Sequence, residues 1–371
     1  MTLDDLPTPC LVLDRGILQR NLDIMSRAVA RHGVALRPHM KTAKSADVAT
    51  LAMASQDAVV GGITVSTLAE AEYFSAHGIY DILYAVAVTP QKLAEVAKLN
   101  AAGASIIVIT DDRDVATAIA SQPQPPNTLI ELDCGEGRGG LAPDDPALLD
   151  IAARLGPHFA GVLTHAGHSY AGRSIPEIQI IAETERQTAL QAVARLHAAG
   201  FATPIISVGS SPTALHATTL DGVTETRPGV YMFGDLFQMQ IGTLKPTSLA
   251  LTVLTSVIGR RPKENRILID AGAIALSKDR STQTAPQDYG FGLALDINAN
   301  PTLGHSLVTR ANQEHGIIDL DPNTEPPTMP IGSKLRIAPN HACLTAAAHD
   351  RYYVVDGADI VLAIWPRVNG W

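Results

Sequence analysis

Cysteine is scarce: 371 residues contain three, Cys10, Cys134 and Cys343. An odd, sparse set of this kind is not a disulfide framework. Long apolar runs are missing too. No stretch of 18 or more apolar residues occurs, so no membrane span is expected. The opening "MTLDDLPTPC" has neither a basic start nor an apolar core, which predicts no signal peptide and makes the cytoplasm the default location. Positive charge is not in excess. A net charge of −9 argues against nucleic acid or an anionic membrane as partner. It says little about a small substrate, because the field inside a cleft can oppose the net charge. No internal repeat of fixed period and no low-complexity tail are visible.

What is present is ordinary globular material, 46% hydrophobic and 18% charged, in a length that suits one large domain and one smaller one. From about residue 35 to 235, short apolar strands alternate with helical patterns. The strand candidates are "ALRPH" (35–39), "GGITVS" (61–66), "DILYAVAV" (81–88), "SIIVIT" (105–110), "TLIELDCG" (128–135), "FAGVLTHAG" (159–167), "PIISVGS" (204–210) and "GVYMFGD" (229–235). Gly33, Gly78 and Gly103 follow predicted helix ends. Eight strands with helical connections predict an α/β fold, a (β/α)8 TIM-like barrel, with a doubly wound sheet as the alternative. After residue 245 the strands lengthen and strong helices disappear. A barrel over 1–245 and a second, mainly β C-terminal domain over 246–371 are therefore expected, with Pro- and Gly-rich loops such as "DPNTEPPTMPIG" in the latter. The early strand "TPCLVLDR" (8–15) is a candidate to join the β domain.

In a parallel barrel the chemistry gathers at the C-terminal ends of the strands. The first strand runs into "RPHMKTAK". Pro38 blocks helical continuation, so His39 and Lys41, two apart, share a face. A lysine at a barrel mouth suits Schiff-base chemistry, since burial lowers its pKa; the plain alternative makes Lys41 and Lys44 solvated loop charges. The fifth strand ends in "ELDCGEGRGG", with Glu131 and Asp133 on one face and Arg138 in the loop beyond. These carboxylates are either functional or part of a structural ion-pair network. The sixth ends in "THAGHSYAG", a histidine and tyrosine cluster with acid–base potential that includes His168 and Tyr170. The seventh ends in "SVGSSPTAL". The turn Gly209, Ser210, Ser211 before a short helix offers donors to an anion, and barrel phosphate sites recur after strands seven and eight. "RPGVYMFGD" is expected to end strand eight and bring Tyr231 to the same corner. In "PNHACLTAAAHD", His341 and Cys343 are two apart, a zinc-type donor pair that needs water or substrate to complete a shell; the alternative is a buried thiol near a satisfied histidine.

Taken in order, "TPCLVLD", "RPHMKT", "HAGHSY", "SVGSSPT", "RPGVYMFGD" and "PNHACLTAAAHDRYYVV" resemble the fold-type III pyridoxal-phosphate (PLP) enzymes that include D-threonine aldolase and D-serine dehydratase, with an alanine racemase-like barrel. The resemblance spans nearly the whole chain. It implies PLP bound covalently to Lys41, with Arg37 and His39 helping to build the site and His39 and His168 as catalytic candidates. It implies Arg138 near the cofactor's phenolic oxygen, Tyr170 near its ring, and Gly209, Ser210, Ser211 and Tyr231 at its phosphate. It further implies a divalent metal on His341 and Cys343, zinc first and manganese or magnesium as alternatives. The expected substrate is a small D-3-hydroxy-α-amino acid, handled by a homodimer. Within the family the segments "HAGHSY" and "PNHACLTAA" look more like dehydratases, with retro-aldol cleavage to glycine and an aldehyde as the alternative. A racemase or a non-catalytic PLP-binding protein are the remoter readings.

Overall fold

The computed structural model describes residues 1–54, 57–324 and 328–371; residues 325–327, inside the Pro- and Gly-rich loop expected at 321–332, lie outside the described residues. The strands follow in order: β1 (Cys10–Asp14), β2 (Ala35–Leu36), β3 (Ile63–Val65), β4 (Asp81–Tyr84), β5 (Ser105–Thr110), β6 (Thr128–Leu132), β7 (Phe159–Thr164), β8 (Ile205–Val208) and β9 (Glu225–Thr226). Then come β10 (Leu251–Arg261), β11 (Arg266–Ile269), β12 (Leu293–Leu295), β13 (Leu307–Ala311), β14 (Gly316–Asp319), β15 (Lys334–Ala338), β16 (Arg351–Val355) and β17 (Ala363–Pro366).

The chain divides into two compact units, Met1–Leu22 with Val230–Asn369, and Asp23–Gly229 with Gly370–Trp371. The change of unit falls at Gly229/Val230, upstream of the 245/246 boundary expected from the strand lengths. The second unit holds eight parallel strands in the order β2-β9-β8-β7-β6-β5-β4-β3. Isolated parallel bridges, Leu36 to Val60 and His39 to Thr64, join its two ends. This is the (β/α)8-type barrel. Three of its helices begin where side chains accept first-turn N–H groups: Thr67 from Glu70, Asp112 from Asp114 and Val115, and Ser174 from Glu177. Inside, Leu83, Ile107, Ile109, Leu129, Ala160 and Leu163 form one apolar cluster. Ile107 and Ile109 alternate with Val108 along β5, as a strand buried on both faces requires.

Seven of the eight expected barrel strands fall where the apolar runs lie, six of them shortened and Ser105–Thr110 at full length. The eighth does not. Val230–Met232 is a 3-10 turn in the other unit, and the eighth strand is Glu225–Thr226. Pro228 offers no N–H to a ladder, so pairing stops before it. The run "GVYMFGD" is apolar because it is buried, not because it is a strand.

The first unit is mainly β. Its nine strands follow the order β11-β14-β13-β12-β15-β10-β1-β16-β17, and β11 also pairs with β10, closing six of them into a barrel. The early strand β1 joins this unit, antiparallel to β10 and parallel to β16. Its core includes Leu3, Leu6, Cys10, Val12, Leu254 and Val355.

Gly161 marks a tight point in the parallel barrel. It sits at a register irregularity between β6 and β7 with φ +137°, and a Cβ there would lie 1.9 Å from the carbonyl oxygen of Ile205. Neither the backbone conformation nor the space admits a side chain. Gly161→Ala is expected to destabilise the protein by roughly 2–4 kcal/mol. Thermal unfolding should show a midpoint several degrees lower; an unchanged midpoint contradicts this account.

Candidate active site

The parallel barrel contains a cavity of about 510 Å³ at the ends of its strands. Its first contributor is the stretch after β2. Pro38 accepts the N–H of Thr64, His39 donates its N–H to Pro228, and Met40 donates to Thr64. With Met40 fully buried, Lys41 turns the other way and lines the cavity. The two lysines of this stretch have different fates. Lys44, at φ +50°, has its ammonium 3.1 Å from the buried carboxylate of Glu70. Lys41 forms no salt bridge among the described residues. Arg37 is not a cavity residue. Its guanidinium is buried between Glu225 and Asp81, each at 2.8 Å, and ties β2 to β9 and β4.

His39 lines the cavity beside Lys41, whose N–H reaches His39 Nδ1 at 3.4 Å. Burial, with the positive charges of Lys41 and Arg227, pushes the His39 imidazolium well below its ordinary range. His165, at the end of β7, behaves alike. Burial, with Lys41 adding to it, lowers its pKa to about 3. A neutral ring must donate from Nδ1 to the carbonyl of Gly209 (3.1 Å), which fixes the tautomer and leaves Nε2 as an acceptor.

Gly209 follows β8 at φ +114°, and a Cβ there would come within 2.0 Å of Thr226 Oγ1. Only glycine lets the backbone pass this close. Glu185, on the long helix Ile175–Ala198, holds the turn. Its fully buried carboxylate accepts the N–H groups of Gly209 (3.0 Å) and Ala166 (2.8 Å). Arg227, also buried, donates to Ser207 Oγ (2.6 Å) and the carbonyl of Thr164 (2.7 Å) and lines the cavity. Arg138, which also lines the cavity, approaches Glu131 (3.8 Å) and Glu136 (3.6 Å). Burial raises the Glu131 pKa, against the pull of Arg138. Asp133 instead accepts the N–H groups of Gly135 and Gly137 and shapes the loop.

In the β unit, His341 precedes the short helix Ala342–Ala346 that carries Cys343. Asp235 tethers the start of that helix by accepting the N–H of Ala342 (2.9 Å). Asn340 is fixed by Thr282 (2.8 Å) and by the carbonyl of Asp279 (3.2 Å). His341 Nδ1 lies 3.5 Å from Asp279 Oδ2. Burial opposes its protonation, but the Cys343 sulfur and the Asp279 carboxylate outweigh that and raise its pKa to about 11. The other two thiols are inert by comparison: burial pushes both Cys10 and Cys134 up to about 12.

Comparison with known proteins agrees with this arrangement. The model of the alanine racemase N-terminal domain matches residues 13–236, and that of the putative serine dehydratase domain matches 250–355. The chain is 43% identical to D-threo-3-hydroxyaspartate dehydratase of Delftia sp. (strain HT23), covering 100% of this chain and 99% of that one. A solved variant of that enzyme, a cysteine-to-alanine mutant in the metal-free form, superposes with a TM-score of 0.95 at 41% identity over the full length of both chains. D-threonine aldolase from Filomicrobium marinum superposes with a TM-score of 0.82 at 27% identity, over 99% of this chain and 96% of the other.

The chain belongs to the fold-type III PLP-dependent D-hydroxy-amino-acid dehydratase and aldolase family. It is a PLP-dependent lyase of D-3-hydroxy amino acids.

The residues present fit the family's cofactor. Lys41 offers an amine that has no ion-pair partner among the described residues. Two cations, Arg138 and Arg227, line the same cavity as that amine. The Gly209 cradle, which a Cβ would fill, lies against Thr226, whose buried Oγ1 has no hydrogen-bond partner. The pair His341 and Cys343 fits a divalent cation: an imidazole and a thiol lie together in negative surroundings, with Asp279 placed to orient the ring. No cluster of three or more such ligands occurs among the described residues.

The other expected site residues are placed as follows. Tyr170 lies on the 3-10 turn Gly167–Ala171, its ring 6.5 Å from that of His165. His168, on the same turn, sits beside Gly135, and its Nδ1 is buried without a hydrogen-bond partner. Ser210 Oγ caps the short helix Ser211–His216 and meets Ser169 Oγ at 2.9 Å, while the N–H of Ser210 goes to Thr213. Ser211 is fully buried, and Tyr231 is buried in the β unit. The cavity residues His165 and Arg227 and the positioning residue Glu185 were not among the site residues expected. His165 stood in a quoted stretch. Arg227 too stood in a quoted stretch, "RPGVYMFGD", without being singled out, and Glu185 gave no local signal, because its partners lie far away in sequence.

Two outcomes test this site. Borohydride treatment of the purified holoenzyme should label Lys41, and Lys41→Ala should abolish covalent cofactor attachment; label on Lys44 would refute the assignment. Because the folded pKa of His165 is lowered to about 3, its ring should be neutral at every pH well above that value. Imidazole nitrogen NMR between pH 5 and 8 should show one unchanging neutral tautomer. A titration near 6.5 would refute it.

Proposed function

We propose that this protein dehydrates and deaminates a D-3-hydroxy-α-amino acid of the D-serine or D-threo-3-hydroxyaspartate kind, giving a 2-oxo acid and ammonia. The observation that carries the reading is the full-length similarity to a D-threo-3-hydroxyaspartate dehydratase, which exceeds that to a D-threonine aldolase. Retro-aldol cleavage remains the second reading, because the same site parts would serve it.

When bound, PLP supplies an electron sink that weakens the bonds at the substrate's Cα. The chain's own residues supply the rest. Lys41 Nζ is the nucleophilic amine of the cavity, would hold the cofactor, and would be placed to take up the Cα proton. His39 and His165, held neutral by burial beside cations, offer ring nitrogens as hydrogen-bond acceptors without adding charge. Arg138, Tyr170, the turn Gly209–Ser211 and Tyr231 are read as cofactor contacts, and His168 as a further acid–base candidate, on the resemblance alone. The walls at Arg227 and Arg138 suit the carboxylate of an amino acid.

His341 and Cys343 would hold a divalent ion, zinc most simply, whose Lewis acidity serves a hydroxyl oxygen. The metal-free cysteine-to-alanine variant of the Delftia enzyme supports reading Cys343 as a ligand. We further read the protein as a cytoplasmic homodimer. Among the described residues, no helix is long and apolar enough to cross a membrane.

Product analysis with D-serine, D-threonine and D-threo-3-hydroxyaspartate decides the outcome. Pyruvate, 2-oxobutyrate or oxaloacetate with ammonia is expected; glycine with an aldehyde would overturn dehydration. Exhaustive chelation, or Cys343→Ala, is expected to lower turnover at least about a hundredfold while the cofactor's absorbance stays. Full activity in a protein shown by metal analysis to be metal-free would end this part of the reading.

A further inference from the structure

Four arginine side chains are buried among the described residues: Arg37, Arg227, Arg336 and Arg367. A buried guanidinium carries five N–H donors, and leaving them unmet in a low-dielectric interior costs several kcal/mol or more. Three of the four each have at least two acceptors. Arg37 has two carboxylates. Arg227 has a serine hydroxyl and backbone carbonyls. Arg367 has the hydroxyl of Tyr352, the carbonyls of Ala346 and His349 and the side chain of Asn369.

Arg336 is the exception. It lies in the middle of β15, opposite Leu254 of β10 and Leu295 of β12, and is only 4% exposed. Its one hydrogen bond among the described residues runs from Nε to Thr252 Oγ1 (2.7 Å). It enters no salt bridge there. Burial lowers its pKa to about 10, and the charges of Asp14 and Asp296 only partly offset this.

The same side chain lines a cavity of about 310 Å³ within the β unit. Thr247, Asn298 and Asn300 add a hydroxyl and two amides to its walls, and Arg20 and Asp356 add charges. Asp14 also lines it, but its oxygens already accept the N–H groups of Ile17 (2.9 Å) and Gly357 (3.0 Å). Asp356 is paired with Arg15 at 2.9 Å. Two arginines and two aspartates leave these walls without net charge. Such a cavity disfavours a multiply charged anion. It suits one carboxylate that takes the guanidinium's remaining N–H groups in fork geometry, with polar groups around the rest of a small molecule. The volume is that of a small-ligand pocket.

We propose that this cavity is a binding site for a small monocarboxylate seated on Arg336. It is separate from the Lys41 cavity, since no residue lines both. The ligand supplies acceptors for the guanidinium N–H groups that no described residue takes, so its binding stabilises the β unit by mass action.

Acetate is the probe. The holoenzyme is titrated with sodium acetate against sodium chloride at equal ionic strength, and the thermal midpoint and cofactor absorbance are followed. The wild type should show a saturable rise in midpoint with no change in absorbance. In Arg336→Met the half-saturating acetate concentration should rise at least about tenfold, or the response should vanish. No saturable rise in the wild type, or an equal rise in Arg336→Met, overturns the proposal. A rise accompanied by an absorbance change and retained in that variant places acetate in the Lys41 cavity and overturns it too. If Arg336→Met does not fold, a crystal structure of the wild-type holoenzyme grown in saturating acetate decides. A carboxylate on the terminal nitrogens of Arg336 is expected there, and only water at that position is a refutation.

Discussion

The carboxylate of Glu185 accepts the N–H groups of Ala166 and Gly209, and much of the parallel barrel's chemistry depends on that one pair of bonds. It joins the loop after β7 to the turn after β8 from the helix between them. His165 then meets the Gly209 carbonyl, which sets its tautomer. Gly209 lies flat against Thr226. Without the carboxylate, two buried amides would lose their acceptor, at roughly 1–3 kcal/mol each, and the two loops would be left to the bonds of His165 to Gly209 and Ser169 to Ser210 to hold them to each other. A helix whose outward face is unremarkable thus governs a site it does not line.

Much of this was legible in the sequence, and what was not has a physical reason. Runs such as "SIIVIT" read as strands because both faces are buried. The order of strands and helices then left few architectures. Lys41 was legible because Pro38 restricts the chain before it. The eighth strand was missed because Glu225–Thr226 carries no apolar residue to mark it, Glu225 being a buried partner of Arg37, while the apolar run that follows belongs to the other unit. Arg227 and Glu185 escaped for a related cause. Their value lies in contacts with elements distant in the chain, and a local pattern does not record those.

The three cysteines show how one residue type divides by surroundings. Cys10 and Cys134 are packed as small apolar groups, and burial keeps them as thiols. Cys343 is only partly buried and stands beside an imidazole and acidic groups. Sequence spacing singled out His341 and Cys343. The structure adds the framework around them: Asp235 on the helix start, Asn340 on two neighbouring loops, and Thr345 on the carbonyl of Leu276.

The position of β1 bears on how the chain is made. This strand is synthesised well before its ladder partners: β10 and β16 begin about 240 and about 340 residues later (Leu251 and Arg351 against Cys10). The residues from Asp23 to Gly229 have by then left the ribosome and can close their own parallel barrel. During that interval β1 is an apolar edge, "CLVLD", with nothing to pair against, at the stage when such edges invite association with other chains. Closing so long a loop is entropically slow to start, though its added length costs little at equilibrium. The β unit is therefore the last part of the molecule able to complete itself, and slow translation of the first 250 residues would lengthen the exposure of its earliest strand.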